Sequence, residues 1–202
     1  NLVNDVLDLS KIEAGKMKLR SVDFTLNDLA QAASQLWRGR AQAKGLNFEV
    51  RTEGDTAKPL LGDPVRLKQI LFNLIGNAIK FTDEGAVDVR LALTPLTPTR
   101  VILRGEVTDT GCGVPPIAHD ALFTSFMQAE PEARQTASGT GLGLAICKQL
   151  VDLMGGTIAH DPKHEPGAHF WFELALGLAD TDSPSPARLE DAGGATAHAP
   201  AP

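Results

Sequence analysis

The sequence predicts an α+β fold, a two-layer sandwich in which a mixed, mostly antiparallel sheet carries three main helices on one face. Three observations predict it. Five or more short segments alternate apolar and polar residues, as half-buried strands do, while three long segments carry an apolar stripe at helical spacing. The two kinds of segment do not follow one another in the strict strand–helix–strand order of a parallel sheet. The chain has 202 residues, 43% of them hydrophobic, enough to bury one core without covalent staples.

Composition narrows the function classes. A net charge of -6 and a pI near 5.3 argue against a nucleic-acid footprint, which needs clustered basic surface. No run approaches the ~18 apolar residues of a membrane span. The two cysteines, Cys112 and Cys147, make no disulfide framework and have no CxxC partner for zinc. A reducing, cytoplasmic setting is therefore expected, with membrane attachment of a larger parent left open. The opening residues, NLVND, lack an initiator Met and the basic flank and apolar run of a signal peptide, so a fragment of a longer protein is expected.

Residues 1–16 read as the end of a helix, with Leu2, Val6 and Leu9 on one stripe and Gly15 as terminator. So short a helix is marginal alone and wants a partner. A short strand is expected around residues 17–24. Thr25 and Asp28 form a capping pattern that opens a helix running to about Lys44, stopped by Gly45. Leu46, Phe48 and Val50 alternate as a strand. Asp63 and Pro64 read as N-cap and first helical residue of a long helix ending near Phe81. Val87 to Leu93 and Val101 to Val107 alternate and form a hairpin, with the TPLTPT stretch as its turn. Residues 116–126 look helical, and residues 127–138 are polar and aperiodic, as expected of a mobile loop. Residues 142–154 form a helix ended by Gly155 and Gly156, and two strands near 157–161 and 168–176 close the domain. Residues 180–202 change character: four Pro, six Ala and a local charge of -3 mark a disordered tail or interdomain linker.

Chemistry-bearing residues fall in three places. On the long helix, at ~100° per residue, Arg66, Asn73, Asn77 and Lys80 lie within roughly 60° of one another, beside a broad apolar face. A solvated face is one reading. Two Asn argue against it, because Asn is a poor helix-interior residue. Their carbonyls suit a hard cation such as magnesium, which takes few protein oxygens and borrows the rest from phosphates and water, and Lys80 suits the anion beside it. At the end of a strand, Asp109 precedes a turn with Gly111 and Gly113. That is an ordinary Asp-Gly turn, or a carboxylate that reads an exocyclic amine such as adenine carries. Third, Gly139, Gly141 and Gly143 sit where a polar loop runs into an apolar helix, a ready phosphate site. This cluster has neither the Gly-Lys-Ser/Thr of a P-loop nor GxGxxG spacing.

In this order the motifs resemble the catalytic, ATP-binding domain of two-component sensor histidine kinases, in the superfamily that includes gyrase, Hsp90 and MutL. Residues 67–82 (LKQILFNLIGNAIKFT) resemble its N box, residues 109–113 (DTGCG) its G1 box, residues 123–126 (FTSF) its F box and residues 139–144 (GTGLGL) its G2 box. Residues 167–172 (GAHFWF) resemble its closing strand, and residues 4–15 (NDVLDLSKIEAG) the end of the dimerisation domain's second helix. The resemblance covers residues 1–178. It implies a Bergerat-type fold with an ATP lid, and three parts: residues 1–16 from the dimerisation and phosphoacceptor domain, residues 17–179 as the catalytic domain, and residues 180–202 as tail or linker.

The resemblance also implies roles. Asn73 and Lys80 would serve catalysis. Asn73, Asn77, Lys80, Asp109, Gly111, Gly113, Phe123, Phe126, Gly139, Thr140, Gly141, Leu142 and Gly143 would bind ATP. Asn77 would ligate Mg2+, Lys80 would contact phosphates, Asp109 would accept from the adenine amine, and Phe123 and Phe126 would anchor the lid. ATP hydrolases of the superfamily carry a glutamate base where this chain has Asn73, which cannot take a proton from water; transfer to a protein nucleophile is favoured. The chain departs from the family at Gln128, where many members have Arg, at Ala137-Ser138-Gly139 where the lid usually ends in an aromatic and two glycines, and at Gln135, where a basic residue is common. None of His119, His160, His164, His169 or His198 sits in an H box, so the phosphoacceptor is expected upstream. Partners would be the dimerisation domain of a homodimer and a receiver domain, with no nucleic acid. Two rival readings stay open, an ATP hydrolase of the gyrase or Hsp90 kind and a degenerate nucleotide-sensing or docking domain.

Overall fold

The computed structural model describes residues 2–124 and 141–179. Among the described residues four helices, α1 (Leu2–Glu13), α2 (Leu26–Ala43), α3 (Pro64–Phe81) and α4 (Gly143–Leu153), accompany seven strands: β1 (Val22–Phe24), β2 (Asn47–Glu53), β3 (Leu60–Gly62), β4 (Ala86–Thr97), β5 (Arg100–Asp109), β6 (Thr157–His160) and β7 (His169–Leu178). The strands form one open sheet in the order β1-β3-β7-β5-β4-β2, with β6 also paired to β7. Among the described residues β2 and β4 alone run parallel; every other pair is antiparallel. This is the mixed, mostly antiparallel sheet that the sequence predicts.

Strand alternation decides which face meets the helices. In β5, Val101, Leu103, Val107 and Asp109 are buried, and in β7 so are Phe170, Phe172, Leu174 and Leu176. The register sets Leu103 opposite Leu174 and Val107 opposite Phe170, so both rows point the same way. On the other face Arg90 bonds Glu53 and Glu106, Arg104 bonds Glu106 and Glu173, and the Arg104 guanidinium lies 4.4 Å from the Trp171 ring centre. The charged face stays in water, and α2, α3 and α4 cover the apolar one.

Local signals explain most element ends. Thr25 and Asp28 make the reciprocal capping box of α2. Asp63 accepts from the amides of Val65 and Arg66, and Pro64 opens α3 where its missing N–H costs nothing. Leu67, Ile70, Leu71, Leu74, Ile75 and Ala78 bury the apolar stripe of α3. Asp8 of α1 accepts from Arg66 at 2.9 Å and Gln69 at 3.0 Å, while Leu9 and Ile12 pack into the core.

Four expectations need correction. The strand expected over residues 17–24 forms only at Val22–Phe24, because three residues suffice to pair with β3. β3 itself was not expected; three residues are too few for an alternation signal. β4 continues through Pro95 to Thr97, so the hairpin turns at residues 98–99, and Pro95 is accommodated beside a register irregularity. Of the helix expected over residues 116–126, the part up to residue 124 holds only a 3-10 turn, Pro116–Ala121, and residues 125–126 lie outside the described residues. The loop expected over residues 127–138 and the tail 180–202 lie outside the described residues.

Candidate functional site

Asn73, Asn77 and Lys80 occupy successive turns of α3, each half-buried. Arg66 does not join them; its bonds to Asp8 and Gln69 turn it toward α1. Asn73 Nδ2 donates to the Gly143 carbonyl oxygen at 3.3 Å, which ties α3 to the first residue of α4. Nearby, the Cys147 thiol is fully buried, rests 3.7 Å from the Ile70 carbonyl oxygen, and is pushed up to about 12 by burial. That makes it an inert core group. The Lys80 ammonium sits 4.4 Å from the Phe81 ring centre.

The second part of the site hangs from the end of α3. The Thr82 hydroxyl donates to the Ala78 carbonyl at 2.7 Å, and the Cys112 amide donates to the Phe81 carbonyl at 3.3 Å. The Asp109–Gly113 turn is thus stitched to the last turn of the helix. Gly111 is required there: a Cβ would collide with the Phe81 carbonyl and meet the Thr82 hydroxyl. Asp109 ends β5 at 4% exposure. Its Oδ1 accepts from the amides of Gly111 at 2.9 Å and Ala168 at 3.2 Å, so neither bond uses Oδ2. Burial pushes its carboxyl above the ordinary carboxylate value, opposed by those two amides, by His164 and by Thr82. Gly167 sits at φ 90° against the Asp109 carbonyl, where only glycine fits.

Gly141, at φ 68°, and buried Leu142 lead into α4, whose start has no side-chain cap. Phe123 is half-buried and meets Phe170 of β7 edge-on at 6.5 Å. Phe126, Gly139 and Thr140 lie outside the described residues, as do Gln128, Gln135 and Ser138. So α3, the Asp109 turn and the start of α4 come together, and Asn73 and Phe81 are the two seams between them.

A cleft of about 630 Å3 opens on the Cys112 side of the turn, lined by Gly111, Gly113, His119, His160, Asp161 and His164 among others. It does not include Asn73, Asn77, Lys80 or Asp109. His119 and His160 meet edge-on at 4.6 Å, and His119 Nε2 lies 3.0 Å from the Val114 carbonyl oxygen. Burial, then the neighbouring His119, holds His160 below the usual imidazole value against the pull of Asp161. Among the described residues no group of three or more His, Cys, Asp or Glu could hold a metal ion. Three contributors escaped sequence reasoning. Gly167 lies far from the Asp109 turn in sequence, Thr82 looks like a helix terminator, and Lys44 looks like an ordinary basic residue in a last turn.

Residues 62–178 match the family described as histidine kinase-, DNA gyrase B-, and HSP90-like ATPase. The chain belongs to this family. Among its relatives are the signal transduction histidine-protein kinase BarA of Escherichia coli K12, 40% identical over 177 residues, and the sensor protein GacS of Pseudomonas syringae pv. syringae, 43% identical over 182 residues. These alignments cover 88% and 90% of this chain but 19% and 20% of those proteins. The chain thus spans about a fifth of the length of these curated relatives. A crystal structure of full-length ShkA in complex with AMPPNP superposes with a TM-score of 0.73 at 35% identity, over 88% of this chain and 36% of that one. The ATPase-family chain is therefore homologous to the catalytic domains of sensor histidine kinases, and the sandwich is theirs. Among its described residues, no helix is long and apolar enough to cross a membrane.

Proposed function

We propose that the chain is the ATP-binding catalytic domain of a sensor histidine kinase, which moves the γ-phosphoryl group of ATP to a histidine on a dimerisation domain. The observation that carries this reading is the pairing of a polar strip on α3 with a buried carboxylate one strand-end away. Asp109, buried and oriented through Oδ1 by two amides, would accept the adenine amine through its carboxylate. Adenine carries that donor and guanine does not. Asn73, Asn77 and Lys80 bring two neutral amides and one cation, with no carboxylate among them to repel a triphosphate. Gly111 lets the Asp109 turn lie directly against the Phe81 carbonyl at the end of α3.

This donor set suits magnesium with a nucleotide, and Asn77 would hold the ion. Magnesium, when bound, supplies neutralisation of the triphosphate charge. Lys80 adds a point charge toward the phosphates, and the positive end of the α4 dipole, beside Gly141, Leu142 and Gly143, favours an anion there. Asn73 has its amide committed to the Gly143 carbonyl and offers no basic group to water. That favours transfer over hydrolysis.

Residues 1–16 would be the end of the dimerisation domain, residues 17–179 the catalytic domain, and residues 180–202 a linker. An acidic linker and relatives about five times longer support a receiver domain elsewhere in the protein. None of the five histidines lies in a phosphoacceptor motif, so another part of the protein would supply that histidine.

Calorimetric titration of the chain should show binding of Mg-ATP and little of Mg-GTP. With γ-labelled ATP the chain alone should gain no acid-labile label. Stoichiometric self-labelling would overturn the missing histidine, steady phosphate release would favour a hydrolase, and no nucleotide binding would favour a docking domain.

A further inference from the structure

We infer that Lys44, outside the three motif clusters, is a positioning residue that fixes the last turn of α3 and through it the phosphate end of the site. This inference rests on the nucleotide-binding reading above. Lys44 is the C-cap residue of α2, its backbone N–H bonded to the carbonyls of Ala41 and Gln42. From that fixed base its ammonium donates to three carbonyl oxygens at the end of α3: Ile79 at 3.0 Å, Lys80 at 3.0 Å and Thr82 at 2.6 Å. Asp83 lies 3.4 Å away and completes the cluster. The last carbonyls of a helix have no intrahelical donors and carry the negative end of its dipole, so a cation there both satisfies and neutralises them.

The turn that Lys44 holds is the junction of the site. Lys80 projects from it. The Phe81 carbonyl accepts from Cys112 and lies against Gly111. Three convergent bonds from one ammonium are more than an exposed ion pair, and the ammonium's own carboxylate contact, to mostly exposed Asp83, is the weakest of the four. The adenine end shares this junction but has an anchor of its own outside it, because Asp109 also accepts from the Ala168 amide beside β7. Loss of Lys44 should therefore be felt more by the phosphates than by adenosine.

The test compares wild type, Lys44→Met and Lys44→Arg in the full 202-residue chain, titrated with Mg-ATP, Mg-ADP and adenosine. Lys44→Met should weaken both nucleotides about tenfold while adenosine changes less than about twofold, and Lys44→Arg, which keeps charge and donors, should recover most of the loss. Amide hydrogen exchange gives a second readout: exchange should quicken at residues 79–83 in Lys44→Met and stay unchanged at residues 65–70. Unchanged ATP affinity, an equal loss for adenosine, or unaltered exchange at residues 79–83 overturns the role of Lys44. A wild type that binds no Mg-ATP overturns the nucleotide reading itself, and this inference with it.

Discussion

Asn73 Nδ2 donates to the Gly143 carbonyl oxygen at 3.3 Å, joining the middle of α3 to the first residue of α4 across 70 positions of sequence. The carbonyl dictates which end of the amide faces it. Asn73→Ala should lower unfolding free energy by about 1 kcal/mol, the net worth of one such bond. Asn73→Asp has the same shape but sets a carboxylate oxygen against a carbonyl oxygen, and should cost more. Urea denaturation of the three proteins checks this order. Equal stability for all three would mean that the bond does not hold the two helices.

The elements were legible wherever a local signal ends them: the Thr25–Asp28 box, the Asp63–Pro64 start and Gly45 after α2 all do in three dimensions what their chemistry requires. β3 was invisible because its stability comes from partners 36 and more than 100 positions away, Phe24 and Leu178, not from its own three residues. The strip on α3 was legible from the helical period, yet Arg66 was misassigned to it. A wheel gives direction but not the neighbour, and Asp8 was the neighbour. Asp109 and its two glycines were readable as a local motif. Gly167 and Lys44 were not, since their partners are set by packing of distant segments.

Burial raises the Asp109 carboxyl, and the sign of the consequence follows. The native state holds its proton more firmly than the unfolded chain does. The stability Asp109 contributes is therefore full below the unfolded carboxylate value of about 3.9 and is lost as pH rises through the raised native value. At neutral pH the ionised group is a cost to the empty fold. Asp109→Asn keeps an oxygen for the amides of Gly111 and Ala168 and sheds that cost. It should raise Tm at pH 7 and flatten the pH dependence on the acid side. The same variant should weaken ATP binding by about 1.5–3 kcal/mol, the range for a charged hydrogen bond. Calorimetry showing unchanged affinity would remove Asp109 from adenine recognition.

The glycines of the site should separate by what surrounds them. Gly111→Ala drives a methyl into the Phe81 carbonyl and Thr82, and Gly167→Ala adds a φ of 90° to a clash with the Asp109 carbonyl. Each should cost about 1–3 kcal/mol, with Gly167 the worse. Gly143→Ala meets only the Asn73 amide, at 3.7 Å, in a helix that gains from alanine, so stability should hold or rise by up to ~1 kcal/mol. Thermal melts of the three variants decide, and a Gly143→Ala as damaging as the other two would contradict this packing.

Asn77 is the residue on which the metal reading turns. It lies one turn beyond Asn73 and just short of Lys80, half-buried on the polar strip of α3. Alanine is the better helix former by roughly half a kcal/mol, so Asn77→Ala should leave Tm unchanged or slightly higher. Any loss of binding then reports lost ligand contact and not lost fold. Titrating ATP with magnesium and again with EDTA separates the two parts of affinity. In the wild type, magnesium should strengthen binding. In Asn77→Ala that gain should vanish, while the magnesium-free affinity stays within about threefold, as for removal of a weak neutral contact. An equal loss with and without the ion would make Asn77 a contact to the nucleotide itself, and a lower Tm would make it a structural residue of α3.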